Sequence, residues 1–275
     1  MRHVAAPEDI YQGTTESCNV SVIERDLAMT NPGKYVDIVR QAVSEGVMHT
    51  VKGDVKLDVH NLKMRDSSGR DLAGRIFQTA ALHAEFWPTK NFENTPDGIG
   101  RLLPGDKAHN KGSDNEVPFT GLLPAELADI RYKMTGLEKA TTFIHNEREL
   151  KDACNKNGVP MTMAVDATAP PFNASPHSDH RPNHVVTIVG VIEGQPRKYL
   201  IQNQWGMKND HSTPDTAVSE SDLIKNMTGP EGDAAGEALV PGDHTRVIAN
   251  GNAVADYNFL EDQRHKRYDL ELGKH

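Results

Sequence analysis

The amino-acid sequence predicts an α+β protein of two lobes, the first rich in helices and the second rich in strands. Helical apolar spacing dominates the first half of the chain, whereas runs of β-branched residues dominate the second half. A length of 275 residues is enough to bury a core in each lobe. We place the division near residue 158, so that residues 1–158 form the helix-rich lobe and residues 159–275 the β-rich lobe of one domain.

Individual elements are predicted from apolar spacing and from residues that end a helix or start a turn. Helices are predicted at 18–29, 36–43, 71–86, 124–134 and 146–157, and a hairpin within 47–64. Strands are predicted at 161–165, 185–191, 199–202 and 245–249, with a short helix that ends at Met227. Residues 88–120 and 228–243 are rich in Gly, Pro and Asp, which predicts long loops.

Composition narrows the classes of partner. The formal net charge of −9 would repel the phosphates of nucleic acids and of anionic membranes, so neither is expected to bind. No apolar run approaches the ~20 residues of a membrane-spanning helix. The first residues also lack the apolar core of a signal peptide. Cys18 and Cys154 are the only cysteines, which predicts a chain without a disulfide framework that works in a reducing environment.

The segment around Cys18 has features that suit a nucleophilic thiol. Gln12 lies six positions before Cys18, and glycine and small hydroxyl residues connect it to a helix that begins at the cysteine. The amides and the dipole of a helix N-terminus stabilise an anion, so this position favours a thiolate. The Cys18 N–H and the Gln12 side-chain amide can both donate to an oxyanion. Taken singly, Cys18 is more simply a buried apolar residue and Gln12 a surface amide.

A second pair of candidate residues lies at one end of a predicted β-hairpin. His184 begins one strand and Asn203 ends the next, and antiparallel pairing brings both to the same end of the sheet. An amide oxygen that accepts a hydrogen bond from one ring nitrogen fixes the tautomer and lets the other nitrogen face a thiol. Trp205 is placed to cover that hydrogen bond and to exclude water.

Together these segments resemble the papain-like cysteine peptidases, including the calpain branch. In that superfamily a glutamine lies six residues before a helix-starting cysteine, a histidine begins a strand, and a later strand ends in Asn-x-Trp-Gly. The corresponding residues here are Gln12, Cys18, His184 and the run Asn203-Gln204-Trp205-Gly206. The match covers short segments only, and residues 35–160 carry no motif of the family.

The resemblance implies a papain-like two-lobe fold and the hydrolysis of peptide bonds in a protein or peptide substrate. Cys18 would be the nucleophile, His184 the base, Asn203 the residue that orients the base, and Gln12 an oxyanion donor. Two alternatives stay open. One is acyl transfer or deamidation of the transglutaminase type on the same scaffold, although Asn203 favours the peptidase because those enzymes often use aspartate as the third member. The other is a catalytically silent binding module.

The sequence also departs from the family in places. Asn19 follows the cysteine where relatives often have an aromatic residue, and Asp97-Gly98-Ile99-Gly100 is the best counterpart of their substrate-binding glycines. No cofactor or metal is expected, since the segment His177-Ser178-Asp179-His180 lacks a distant partner cluster and predicts a polar loop. A calcium requirement and the oligomeric state stay open. The expected location is the cytoplasm, or a reducing host cytosol that the protein reaches as an effector.

Overall fold

The structure is a computed structural model that describes residues 2–13, 15, 17–63, 68–86, 90–93, 101–104, 117–118, 122, 124–136, 139–166, 170–174, 184–206, 210–228, 236–241, 248–249 and 252–253. These residues form helices and antiparallel strands, so the predicted α+β class is confirmed. Among them, no helix combines the length and the apolar character that crossing a membrane requires.

Helices form most of the first half of the chain. They are α1 (Arg2–Ala5), α2 (Cys18–Thr30), α3 (Pro32–Ser44), α4 (Val59–Lys63), α5 (Leu72–Phe86) and α6 (Pro124–Thr135), with a 3₁₀ turn at Pro7–Asp9. The predicted hairpin is present as β1 (Val47–Thr50) and β2 (Gly53–Lys56). Asn31 separates α2 from α3, because its side chain accepts a hydrogen bond from the Lys34 amide and Pro32 follows it at the first helical position.

The prediction of one long loop at 88–120 is wrong in part. Three short strands lie within it, β3 (Lys90–Glu93), β4 (Arg101–Pro104) and β5 (Val117–Pro118), and they pair as an antiparallel sheet. A composition rich in Gly, Pro and Asn does not by itself exclude short strands within a segment.

The second half of the chain is built around a six-stranded sheet with the strand order β10-β9-β8-β7-β11-β6. Its strands are β6 (Lys139–Ile144), β7 (Met161–Val165), β8 (His184–Ile192), β9 (Lys198–Asn203), β10 (Val218–Ser219) and β11 (Gly236–Pro241). This half of the chain also contains helices α7 (Glu147–Asn157) and α8 (Glu220–Thr228), a 3₁₀ turn at Phe172–Ala174, and the strand pair β12 (Ile248–Ala249) and β13 (Asn252–Ala253).

Strand β11 corrects a second loop prediction, because it lies within 228–243. It pairs with both β7 and β6, and so occupies a place inside the sheet. The backbone pairing on both sides makes this segment a strand despite its turn-rich composition. The strand predicted at 245–249 is represented by β12, and residues 242–247 lie outside the described residues.

Two clusters of buried apolar residues form the core. The first draws its members from Ile10 to Met134 and also includes Val185 of β8. The second extends from Ile144 to Met227. Its first member, Ile144, comes before residue 158 in the chain, and α7 packs against α8 and β11.

Candidate active site

Cys18 is the first residue of α2, the position that the sequence predicts. The residue is 8% exposed, and α2 is buried from Cys18 to Ala28 because it packs against α3, α5 and β8. Ser17 holds the N-cap position, but its side chain does not cap the helix. The amides of the first turn are thus not satisfied by Ser17, which leaves the helix end suited to negative charge.

Asn19 sets the direction of the Cys18 S–H bond. The thiol donates to Asn19 Oδ1 at 3.0 Å. Asn19 is in turn held by Leu122, because its Nδ2 donates to the Leu122 carbonyl at 2.6 Å and its Oδ1 accepts from the Leu122 amide at 3.3 Å. An oxygen acceptor favours the neutral thiol over the thiolate. The sequence marks Asn19 only as a departure from the family, whereas the structure puts it in contact with the proposed nucleophile.

Gln12 is buried rather than exposed, with an exposed fraction of 2%. Its side-chain Nε2 donates to the Thr15 carbonyl, and its backbone N–H donates to the Gln204 carbonyl at 2.9 Å. Among the described residues, Gln12 Oε1 has no hydrogen-bond partner. An amide nitrogen carries two hydrogens. A role as oxyanion donor therefore requires the hydrogen that is not used by Thr15.

The turn that follows Gln12 packs against the segment that contains Ser68. Gly13 has a φ of +64°, and a Cβ at this position would lie 1.9 Å from the Ser68 carbonyl oxygen. Both the left-handed backbone and the close approach require glycine. The Gln12 backbone is thereby fixed between Ser68 on one side and Gln204 on the other.

Strands β8 and β9 bring His184 and Asn203 together. Their register pairs Val186 with Asn203, and residues two apart in a strand share a face, so His184 lies diagonally opposite Asn203. His184 Nε2 is 2.8 Å from Asn203 Oδ1. The two residues are 2% and 1% exposed, respectively. The contact between them that the sequence predicts is present.

Trp205 determines which atom of the Asn203 amide faces the ring. The Trp205 amide donates to Asn203 Oδ1 at 3.0 Å, and an N–H group can only donate, so the amide oxygen lies on this side. His184 Nε2 is then the donor, and Nδ1 is the acceptor of the neutral ring. The indole stacks on the imidazole, with ring centroids 3.8 Å apart and planes 15° apart. One ring nitrogen is thus oriented and the other can accept a proton.

The helical side and the strand side of the site lie in one region. The bond from the Gln12 amide to the Gln204 carbonyl joins the turn before α2 to the residue that follows Asn203. Val185, the neighbour of His184, belongs to the apolar cluster that contains Cys18. These contacts join the segment that carries Gln12 and Cys18 to the strands that carry His184 and Asn203.

A buried polar network lies behind Gln12 and Cys18. Thr15 Oγ1 donates to the Gln12 carbonyl at 2.7 Å, and Ser17 Oγ donates to Gln78 Oε1 at 2.7 Å. Gln78 Nε2 in turn donates to Glu24 Oε2 at 2.8 Å. Sequence reasoning missed Gln78 and Glu24. For Gln78 the available signal was an amide that follows Phe77 within the mostly apolar run 76–82 of α5, where a buried polar side chain needs a partner.

The network ends at His3 in α1. His3 Nδ1 lies 3.1 Å from Glu24 Oε1, and Nε2 lies 2.7 Å from Asp71 Oδ2. Burial alone would lower the pKa of His3, but the hydrogen bonds and charges of Asp71 and Glu24 outweigh it and raise the pKa to about 9. His3 is therefore protonated at neutral pH, which compensates the buried Glu24 carboxylate.

No protein-family model matches the chain, and no curated protein matches it either. In the part of the chain that the structure describes, no group of three or more His, Cys, Asp or Glu side chains could hold a metal ion. The segments His177–His180 and Asp97–Gly100 lie outside the described residues. The candidate roles therefore depend on geometry and chemistry rather than on relatives.

We expect Asn203→Ala to lower kcat by about 10- to 100-fold, by analogy with the loss of the outer partner that orients a metal-bound histidine. The imidazole would lose its acceptor and its fixed tautomer, but the thiol and the base would remain. Asn203→Asp is the matched variant, since it keeps an acceptor for the His184 and Trp205 donors and should retain more activity. The test is to measure kcat of both variants and of wild type by steady-state kinetics on a peptide substrate. Full activity of Asn203→Ala would remove Asn203 from the site.

Proposed function

We propose that the chain is a cysteine peptidase of the papain-like type that hydrolyses peptide bonds. The observation that carries the proposal is the hydrogen bond from His184 Nε2 to Asn203 Oδ1 beneath Trp205. A buried histidine with one nitrogen oriented by an amide oxygen and covered by an indole has the form of a general base. The thiol that it would serve begins a buried helix packed against the same strand.

The proposed reaction follows the usual course of thiol acyl transfer. The Cys18 S–H turns from Asn19 towards the imidazole, and His184 Nδ1 takes the proton. The thiolate sulfur forms a bond to the substrate carbonyl carbon, and the carbonyl π electrons move to oxygen. The Cys18 amide and the second Nε2 hydrogen of Gln12 donate to this oxyanion. The amine leaves with the proton from His184, and water then releases the acyl group from sulfur.

A papain-like two-lobe fold is part of the same proposal. It is supported by the order of the elements, since α2 with the nucleophile precedes the antiparallel strands β8 and β9 that carry His184 and Asn203. Two separate apolar clusters support it further, because each lobe of such a fold has its own core. The site would lie where the clusters meet, at Cys18 and Val185.

A catalytically silent binding module is the second candidate function, and a specific observation favours it. The Cys18 thiol donates to Asn19, and the Gln12 amide donates to the Thr15 carbonyl. Both groups are thus engaged with the protein itself rather than directed at a substrate. Such contacts would have to be exchanged at each turnover in a peptidase, and they could persist in a module that only binds.

Covalent labelling of the native protein separates these two functions. We expect an epoxide-type thiol inhibitor to label Cys18 and not Cys154, since burial raises the pKa of the Cys154 thiol to about 11 and keeps it neutral. Peptide mapping by mass spectrometry locates the adduct, and Cys154 is a control thiol within the same chain. His184→Ala should lose the label. An unlabelled Cys18, or equal labelling of both thiols, would contradict the peptidase.

The products distinguish peptide hydrolysis from deamidation. We would incubate the protein with peptides from a cell lysate and measure both new amino termini and released ammonia. New termini without ammonia support the peptidase. Ammonia from glutamine-containing peptides without cleavage would assign the Cys18–His184 pair to the deamidase alternative instead.

A further inference from the structure

Asp210 is a carboxylate that contacts the backbone of Asn203. Its Oδ1 accepts a hydrogen bond from the Asn203 amide at 2.5 Å. The position of Asp210 is fixed by the chain that follows, because His211 exchanges two backbone hydrogen bonds of 2.8 Å with Ile201 of β9. Asn203 is therefore held from both directions, through its side chain by His184 and Trp205 and through its backbone by Asp210.

Arg25 is a cation on another element whose charge acts on Asp210. It lies in α2, two turns beyond Cys18, and it is almost fully buried. Its guanidinium donates to the carbonyl oxygens of Pro7, Glu8 and Ile10, in the segment that leads to Gln12. Among the described residues, Arg25 Nη1 has no hydrogen-bond partner. This positive charge attracts the carboxylate of Asp210.

The charge on Asp210 depends on several opposing effects. Burial raises the pKa of Asp210, whereas the Asn203 amide and the charges of Arg25 and His211 lower it. Burial has the largest effect, so the pKa of Asp210 lies above its usual value, and these neighbours limit the rise. In its ionised form Asp210, bonded to the Asn203 backbone, would stabilise a positive charge on the ring that Asn203 contacts, and its partly buried position limits screening by solvent.

We propose that Asp210 is a positioning residue for the His184–Asn203 pair, holding Asn203 by its backbone and favouring the imidazolium form of His184. This inference depends on the proposed function for its catalytic consequence. Fixing the Asn203 backbone keeps Oδ1 at the ring nitrogen through the reaction. When the imidazolium is favoured, His184 takes the Cys18 proton at a lower pH. The reactive thiolate therefore also forms at a lower pH.

Two substitutions separate the hydrogen bond of Asp210 from its charge. Asp210→Asn keeps an acceptor for the Asn203 amide but removes the charge, and Asp210→Ala removes both. We expect the pH midpoint of Cys18 alkylation by iodoacetamide to rise by about 0.5 to 1 pH unit in both variants. We expect kcat to fall by about tenfold or more only in Asp210→Ala, with little change in KM. Asp215→Asn is the matched control, since it removes an exposed charge from the same segment.

The decisive readout is the titration of the His184 ring by NMR, because it requires no activity. His184 is assigned by the signal that His184→Gln loses. A lower midpoint for His184 in Asp210→Asn, but not in Asp215→Asn, is the expected result. Unchanged His184 titration in both Asp210 variants would overturn the inference, even if they melt at lower temperature. This outcome can be told apart from a failure of the proposed function. Wild-type protein that neither cleaves peptides nor is labelled at Cys18 would contradict the peptidase, but the titration of its His184 ring could still be measured.

Discussion

Cys18→Ala should lower peptide cleavage by about 10⁵- to 10⁶-fold, the scale of losing a catalytic nucleophile. The variant has no group that can form the acyl-enzyme, so only binding and any remaining stabilisation of the oxyanion persist. The measurement is a profile of peptides cleaved from a cell lysate, run beside wild type. The melting temperature should change little, since alanine fills most of the thiol's volume at the start of α2.

Cys154→Ala is the matched control for this substitution. Cys154 lies in the second apolar cluster, away from the cluster that contains Cys18, and its thiol stays neutral through burial. We expect Cys154→Ala to cleave the same peptides at the wild-type rate. Cleavage by Cys18→Ala at the wild-type rate would mean that another residue is the nucleophile, or that a contaminating peptidase gives the signal.

Gln12→Ala should lower kcat by about 10- to 1000-fold and leave KM nearly unchanged, by analogy with the loss of one oxyanion donor. The bond to the oxyanion exists only in the transition state, so ground-state binding is not affected. The structure adds a second expectation. Because the buried amide also bonds to Thr15, the melting temperature should fall by about 2–4 °C, as for the loss of one hydrogen bond.

Alkylation of Cys18 separates the catalytic role of Gln12 from a structural one. Iodoacetamide builds no oxyanion, so its reaction with Cys18 should persist in Gln12→Ala. Gln12→Glu is the matched variant, since a carboxylate keeps the volume of the side chain but cannot donate a hydrogen bond. Its kcat should fall as far as that of Gln12→Ala. If turnover and alkylation fall together, Gln12 serves only to hold the turn before α2. Wild-type turnover in purified Gln12→Ala would reject both roles.

The sequence alone predicts those parts of the site that depend on local secondary structure. A helix that begins at Cys18 follows from the small residues before it and the apolar spacing after it. The proximity of His184 and Asn203 follows from the period of a β-hairpin, because strand ends joined by a short turn must lie side by side. These expectations need no knowledge of how distant segments pack.

Other parts of the site depend on tertiary packing that no local pattern encodes. The Gln12 backbone bonds to Gln204 and the adjacent Gly13 packs against Ser68, and both partners lie far from Gln12 in the chain. The contact of Asp210 with Asn203 requires the chain after Trp205 to return to β9. The strand β11 was missed because its pairing partners, rather than its own composition, make it a strand. The sequence therefore predicts where the reactive groups lie, and packing determines which atoms they contact.

The order of strands in the large sheet has a consequence for the chain as it is synthesised. A nascent chain exposes Cys18 early, but the histidine and asparagine of the proposed site emerge only with β8 and β9. The sheet becomes continuous later still, because β11 must enter between β6 and β7. Such long-range pairing is slow to form. A ribosome-bound chain that ends before residue 203 would thus carry the thiol without the complete His184–Asn203 pair of the proposed site, and one that ends before residue 241 would carry the pair on an incomplete sheet.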